Sequence, residues 1–245
     1  MVLGLGTMAC TTFNNARPLL PGQHAASVTL GGPLTQIPGL GPIPLPNITF
    51  EGRHGLKHHL DVNYGLHVLP LLFGVGGGHL GATGLLFDQP NDVVPALALG
   101  QRFFFFTNLL DTRKELKSAF AMSQTDLTAS WKIDQQLLYV GGTAYLPLDQ
   151  GSRIFRFAPV LGIEVHPGTD WLRIQLEARW LAPDVNQRFA VVEWIAPFSQ
   201  GGISINLGIA VVLSDLFEPA AGQKIEAQAI HSVSSEPAVH LEVKP

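Results

Sequence analysis

The chain has 245 residues, of which 46% are hydrophobic and only 14% are charged, and its formal net charge is −4. A charged fraction of about 25% is typical of soluble proteins, so a surface that faces water everywhere is disfavoured. The 26 glycines and 18 prolines interrupt every apolar run that could form a membrane-spanning helix. The net charge argues against a nucleic-acid partner, and the single cysteine excludes an internal disulfide and a cysteine-based zinc site.

The first distinctive residue along the chain is the lone cysteine, Cys10. It follows an apolar stretch rich in small residues, 2–9, and precedes a polar segment, 11–15. This arrangement resembles a bacterial lipoprotein cleavage site and predicts lipidation of Cys10. A free, buried cysteine is the alternative, because no Lys or Arg precedes Cys10 and the apolar run is shorter than a normal signal core.

Further along, the dominant signal is a period of two. In 59–68, apolar residues alternate with His59, Asp61, Asn63, Gly65 and His67, which is typical of a strand with two different faces. Many of the predicted strands have the length that a tilted, bilayer-spanning strand requires, about 9–11 residues. Ten strands are predicted, at 25–31, 45–53, 57–69, 78–88, 94–107, 121–133, 136–147, 153–166, 170–182 and 202–214.

The links between these strands alternate in length. The odd-numbered links are mostly long and the even-numbered ones short, as are the extracellular loops and periplasmic turns of outer-membrane barrels. An even number of strands places both termini on the periplasmic side, together with Cys10. The sequence therefore predicts an all-β, closed, antiparallel, up-and-down transmembrane β-barrel over 25–217, preceded by a signal and lead-in segment, 1–24, and followed by a tail, 218–245, that we expect in the periplasm.

The composition of the two strand faces indicates which one meets lipid. The polar faces are rich in Gly, Ser, Asn and Gln, which suits a crowded lumen, and the apolar faces suit contact with hydrocarbon. Aromatic residues near strand ends, as in an interfacial girdle, are Trp131, Tyr145, Trp171 and Trp180. The run 103–106, four consecutive Phe residues, places bulk on both faces, as a girdle with a lumen filling or as a segment near the barrel rim.

The inward faces predict a polar network in the lumen. Opposite charges on adjacent strands are expected to form ion pairs that fill the interior, with a narrow pore lining or a catalytic dyad as alternatives. His59 and His67 share a face but lie about 26 Å apart along a strand, so these residues alone form no metal site. Neither a catalytic residue nor a cofactor is predicted. The expected network contains His59, Asp61, Asn63, Arg156, Glu164, Arg173, Gln175, Glu177 and Arg179.

Taken together, the chain resembles the small outer-membrane β-barrel proteins of Gram-negative bacteria, particularly lipoprotein-like members. The resemblance covers residues 10–217 and rests on the Cys10 region, the lead-in 16–22 and a turn at 53–56. It implies contact with outer-membrane lipid and insertion by the barrel-assembly machinery, which recognises an aromatic residue after the last strand. Phe217 has the right parity for that signal, but 28 residues follow it.

The functional hypothesis is a non-enzymatic barrel with a structural or surface-interaction role. Barrels of around eight strands have filled interiors, whereas 16–18 strands leave a channel, so ten strands predict a largely plugged polar lumen. The alternatives are a barrel-embedded enzyme acting on lipid or peptide, a narrow pore, and a soluble lipocalin-like periplasmic carrier. The sequence identifies no specific ligand or protein partner.

Overall fold

The computed structural model describes residues 12–37, 41–44, 47–72, 74–109, 119–148, 155–186 and 195–214. These residues form a single antiparallel sheet with short helical segments that include α1 (Val68–Leu72) and a 3-10 turn (Pro197–Ser199). No helix in the described ranges is long and apolar enough to cross a membrane. The strands are β1 (His24–Ile37), β2 (Gly41–Pro44), β3 (Asn47–Lys57), β4 (Leu60–His67), β5 (Val75–Phe87), β6 (Ala96–Asn108), β7 (Ala119–Ile133), β8 (Gln136–Pro147), β9 (Arg156–Val165), β10 (Leu172–Asn186) and β11 (Gln200–Val212).

The sheet closes on itself. Apart from β2, each strand pairs with the ring strand that follows it, and β11 returns to pair with β1, from Ala25 opposite Val212 to Pro33 opposite Ser204. β2 stands apart from this ring, because it pairs with the end of β1, from Leu34 opposite Pro44 to Ile37 opposite Gly41. The ring therefore contains ten strands, and the predicted closed antiparallel barrel is confirmed.

Two details of the predicted strands require correction. Residues 53–56, expected to form a turn, belong to β3, where Arg53 pairs with Asn63 and His54 with Val62. The turn lies at residues 58–59. A register irregularity between Gly55 and Lys57 interrupts the alternation of inward and outward side chains just before it, so the alternation does not indicate where the turn begins. The predicted loop 32–44 contains the end of β1 and all of β2.

The two ends of the barrel differ. At one end, called the turn end, lie the start of β1, the end of β11 and the links 58–59, 88–95, 134–135 and 166–171. The opposite end, called the loop end, carries α1, the β1–β2 hairpin and the longer links, parts of which fall outside the described residues. Both ends of the strand ring thus leave the barrel at the turn end.

The outer surface of the barrel is apolar on every strand of the ring. Leu66 of β4 is 63% exposed and Leu207 of β11 is 49% exposed, whereas their neighbours His67 and Asn206 are buried inside. This is the pattern of a transmembrane barrel and the inverse of a water-soluble carrier. The exposed belt includes Val28, Leu30, Phe50, Tyr64, Leu66, Leu80, Leu97, Leu99, Phe103, Phe105, Leu127, Leu138, Val140, Leu146, Phe157, Leu161, Ile174, Leu176, Ile205, Leu207 and Ile209.

Aromatic residues occur near both ends of this belt. Trp131 lies near the turn end, where its indole Nε1 donates to the Val93 carbonyl at 3.0 Å, and Trp180 near the loop end donates to the Gln200 carbonyl at 2.9 Å. Trp171 directly precedes β10 at the turn end. The prediction for Tyr145 is wrong, because β8 turns this ring into the lumen, where it is 1% exposed.

The four consecutive Phe residues occupy both faces of β6, as the sequence predicts. Phe103 and Phe105 belong to the outer belt, whereas Phe104 and Phe106 are buried in the lumen. Because successive side chains of a strand point to opposite faces, one short run supplies both the lipid-facing surface and part of the interior filling.

Candidate functional site: the barrel lumen

Residues 12–20, which we call the plug segment, lie inside the barrel as far as Leu19, and Leu20 is exposed at the turn end. Phe13, Ala16 and Leu19 are nearly inaccessible to solvent, as are the polar residues Thr12 and Asn14. The segment runs from the middle of the lumen to the turn end, where it turns at Pro21 and Gly22 and enters β1. The part of the chain that the sequence assigns to a lead-in thus fills the turn-end part of the interior.

The inner half of the plug segment is bound by β10 through its main chain. Arg179 donates to the carbonyl of Thr12. The amide of Asn14 donates to Glu177 at 3.0 Å, and Gln175 donates to the carbonyl of Asn14 at 3.1 Å. Arg179 and Glu177 are also paired with each other and are buried. Three consecutive inward residues of one strand therefore hold the main chain of residues 12–14.

The outer half is bound in the same manner by β3 and β4. Nη2 of Arg53 donates to the carbonyl of Arg17 at 2.7 Å, and the amide of Leu19 donates to Asp61 at 3.0 Å. Arg53 and Asp61 are themselves an ion pair, with Asp61 fully buried. Each of the two ion pairs, Arg179–Glu177 and Arg53–Asp61, thus donates one hydrogen bond to the main chain of the segment and accepts another from it.

The strands around the plug segment, which we call the wall, leave space for it at two glycines, where a side chain is lacking. The ring of Phe13 lies against Gly208 of β11, and the carbonyl of Leu20 lies against Gly55 of β3. A Cβ atom at either glycine would overlap the segment. Any other residue at these positions would require the segment or the wall to move.

Above the plug segment, a second polar layer crosses the lumen around Asp126. This carboxylate receives hydrogen bonds from Arg102 at 3.1 Å, from Gln124 at 2.9 Å and from Thr143 at 2.6 Å. Arg102 also donates to the side-chain oxygen of Asn63 at 3.2 Å. The layer joins β4, β6, β7 and β8, and the buried Asp126 carboxylate itself is stabilised by side chains from β6, β7 and β8.

A chain of four polar side chains lies beside this layer. The hydroxyl of Thr49 is 3.2 Å from Nδ1 of His67, Nε2 of His67 is 3.4 Å from Nδ1 of His79, and Nε2 of His79 is 3.3 Å from Glu51. Asn15 of the plug segment donates to the other oxygen of Glu51 at 3.3 Å. The order hydroxyl, imidazole, imidazole, carboxylate gives each adjacent pair a possible donor and acceptor.

Toward the loop end the lumen is filled by apolar side chains. The buried members of this cluster are Phe104, Phe106, Met122, Tyr145, Ala158, Leu181 and Ala182, and Val75, Phe120 and Val185 pack against them. The rings of Phe104 and Phe106 also lie 5.5 and 5.4 Å from the ring of His67. In the described part of the chain, the interior is thus occupied by the plug segment, by polar layers and by an apolar cluster.

The residues predicted for the lumen network form separate groups. Asp61 and the set Gln175, Glu177 and Arg179 hold the plug segment, and Asn63 joins the layer around Asp126. Glu164 lies toward the turn end, 3.6 Å from Arg173 and 2.8 Å from His166.

Two predicted network residues lie toward the ends of the barrel. Arg156 pairs with Asp184 near the loop end, where Asp184 is largely exposed. His59 lies in the exposed turn after β3, and its carbonyl accepts a hydrogen bond from Leu85 at 2.8 Å. Among the described residues, no cluster of three or more His, Cys, Asp or Glu side chains has the arrangement of a metal site.

Several functional residues were missing from the predicted network. Glu51, Arg53, Arg102 and Asp126 all face the lumen and carry its central contacts. The inward position of Arg102 could have been predicted from the alternation along β6, because Arg102 shares a face with Phe104 and Phe106. The location of the plug segment had no comparable signal, since 12–20 shows no period.

Comparison with solved structures finds distant similarities, two of which are outer-membrane proteins. An outer membrane channel from Pseudomonas putida F1 has 10% identity and a TM-score of 0.45, over 82% of this chain and 99% of that one. The translocator domain of the autotransporter NalP from Neisseria meningitidis has 8% identity and a TM-score of 0.41, over 86% and 92% of the two chains. No protein-family model and no curated protein matches. These low similarities assign no function, and the architecture rests on the strand pairing and the apolar exterior.

Proposed function

We propose that this chain is a non-enzymatic outer-membrane barrel with a structural or surface-interaction role, closed by its own N-terminal segment. The observation that carries the proposal is the plug segment itself, which the wall binds at two levels through buried ion pairs. A segment held in this manner keeps the lumen occupied. The barrel therefore serves as a membrane-embedded platform and not as an open channel.

The proposed orientation places the turn end in the periplasm. Short links gather at that end and the longer ones at the other, as in outer-membrane barrels. Both ends of the strand ring then face the periplasm, as do the plug segment's exit and the expected tail 218–245. Phe217 and that tail lie outside the described residues, and their proposed relation to the assembly machinery is a prediction from the sequence.

One feature of the loop end supports a surface-interaction role. Phe198 is 89% exposed and has a φ of 55°, and the next residue, Ser199, has a φ of 59°. Left-handed backbone at residues other than glycine costs about 1–3 kcal/mol and clusters at functional sites. A partner or the membrane surface that covers the ring of Phe198 would offset that cost by removing apolar surface from water.

The proposed lipid anchor is Cys10, which lies outside the described residues. Incorporation of radiolabelled palmitate into the wild-type protein, compared with the Cys10→Ser variant, tests it. Label in the wild type alone supports the anchor, whereas equal label in both removes it.

The closed barrel is tested by reconstituting the purified chain in detergent and in planar bilayers. We expect a folded band that shifts on heating in a detergent gel, a requirement for detergent, and no steady ion conductance. Sustained conductance of the wild-type protein would contradict the plugged lumen. Full solubility without detergent would contradict the membrane location.

A barrel-embedded enzyme is the second candidate, and the chain of Thr49, His67, His79 and Glu51 favours it. A hydroxyl whose proton an imidazole can accept, oriented by a further base and a carboxylate, is the arrangement of an activated nucleophile. Phe104 and Phe106 cover His67, so a substrate would have to displace them. Hydrolysis of an aryl ester or a phospholipid by the wild type that is lost in Thr49→Val would favour the enzyme over the structural role.

A further inference from the structure

We infer that the turn-end part of the lumen is a binding site for a short polypeptide segment, of which the plug segment is the resident ligand. The inference rests on the proposed plugging of the lumen and goes beyond it. It assigns to the barrel a capacity to bind another peptide of similar backbone shape when the segment leaves.

The contacts with the segment are directed at its main chain. The carbonyls of Thr12, Asn14 and Arg17 each accept a hydrogen bond from the wall, and the amides of Asn14 and Leu19 each donate one. Every peptide without proline at the two donor positions carries these groups. The wall thus recognises the main chain of the segment and is tolerant of sequence at most positions.

The strands around the plug segment keep their buried ion pairs when the segment is absent. Arg179 is paired with Glu177, and Arg53 with Asp61, independently of their bonds to the plug. An unpaired buried charge is strongly destabilising, whereas a paired one is not. Departure of the segment therefore leaves each of these charges with its counter-ion, so the site can be vacated without isolating a charge.

The resident segment is also an imperfect ligand. Among the described residues, the hydroxyl of Thr12 and the side-chain amide of Asn14 have no hydrogen-bond partner, although both are buried. Unsatisfied buried polar groups oppose binding. A peptide with small apolar side chains at these two positions avoids that penalty and should compete with the segment.

Three side-chain contacts give the site a preference. The ring of Phe13 fills the space left by Gly208. Asn15 donates to Glu51 at 3.3 Å, and the guanidinium of Arg17 donates to Ser130 at 3.1 Å and also contacts Gln89. The preferred ligand therefore has an aromatic residue, a hydrogen-bond donor two positions later and an arginine two positions after that.

The test uses the full chain with a protease site inserted between Pro21 and Gly22. Both residues are exposed, and no atom lies within 4 Å of a Cβ built on Gly22, so the turn has room for an insertion. The protein is folded intact in detergent and then cut, which turns the plug segment into a separable peptide. Retention of the cut segment is measured by gel filtration, and binding of a synthetic peptide of residues 12–21, labelled at its C-terminal end, by fluorescence anisotropy.

Ester analogues separate main-chain recognition from side-chain packing. Replacing the amide of Leu19 by an ester removes the donor to Asp61 and keeps the side chain. We expect about 10- to 100-fold weaker binding, as for the loss of a hydrogen bond to a charged group. The matched control is an ester at Ala16, whose amide donates to no described residue, and its affinity should be unchanged.

The outcomes separate the inference from the proposed function. Retention of the cut segment supports the site. Saturable binding of the labelled peptide also supports it, provided that the Leu19 ester binds more weakly than the Ala16 ester. Equal affinities of the two esters would overturn main-chain recognition. Loss of the cut segment without any binding of added peptide would overturn the site, whereas the plugged lumen of the uncut protein would stand if its conductance is absent.

Discussion

Replacing Leu207 by arginine tests the membrane belt most directly. Leu207 lies near the middle of β11, between Leu30 of β1 and Leu176 of β10, and its side chain points away from the lumen. An arginine on the lipid face of a barrel at the bilayer midplane costs roughly 2–4 kcal/mol, and the cost falls to roughly 0–1 kcal/mol near the interfaces.

A matched exposed position is Leu213, directly after β11, where the chain leaves the strand. β11 ends at Val212, five positions after Leu207, which is about 17 Å along the strand at about 3.3 Å per residue. With a strand tilt of about 45°, that distance becomes about 12 Å along the membrane normal, close to half of a hydrocarbon core about 30 Å thick. Leu213→Arg therefore tests an interfacial position.

The assay is an equilibrium denaturant titration of each variant folded into phospholipid vesicles, followed by tryptophan fluorescence. We expect the free energy of unfolding to fall by about 2–4 kcal/mol in Leu207→Arg and by less than about 1 kcal/mol in Leu213→Arg. Equal losses at the two positions, or no loss at Leu207, would refute the placement of the belt in hydrocarbon.

Three replacements test the lumen and its plug. Arg179→Met leaves Glu177 buried without its cation, so the free energy of unfolding in the same titration should fall by roughly 3–5 kcal/mol, and failure of an added Glu177→Gln to recover part of the loss would contradict the pairing. Tyr145→Phe removes the hydroxyl that accepts from Arg179 at 2.8 Å, and should cost about 1.5–3 kcal/mol without altering the heat-shifted gel band. Gly55→Ala places a methyl group against the carbonyl of Leu20, so amide hydrogen exchange in residues 12–20 should become faster. Unchanged exchange would show that β3 moves and that the plug segment keeps its place.

The number and facing of the strands could be predicted because the signal is local. In 59–68 and 203–213 each residue's chemistry reports its face, since lipid and the lumen select different side chains. The error at Tyr145 has the same origin. In β8, Leu137 and Tyr139 face inward while Leu138 and Val140 face outward, so apolar residues occupy both faces and alternation gives no guidance.

The interior could be predicted only in part, because its contacts are remote in sequence. Arg179 and Thr12 are 167 positions apart, and Arg53 and Arg17 are 36 apart. No period or motif in residues 12–20 signals such partners. Arg53 is the last residue of the predicted strand 45–53 and the first of the predicted turn 53–56, whereas β3 continues to Lys57 with a register irregularity after Gly55, so the lumen contacts of Arg53 were not predicted.

The position of the plug segment also constrains the order in which the chain folds. Its partners include Gly208, Glu177 and Arg179, which belong to the last two strands, although the segment itself directly precedes the first. Contacts so distant in sequence carry a large loop-closure cost and form late. The seam between β1 and β11 and the seating of the segment therefore depend on the same late strands, so a substitution that delays the pairing of β10 and β11 should delay both.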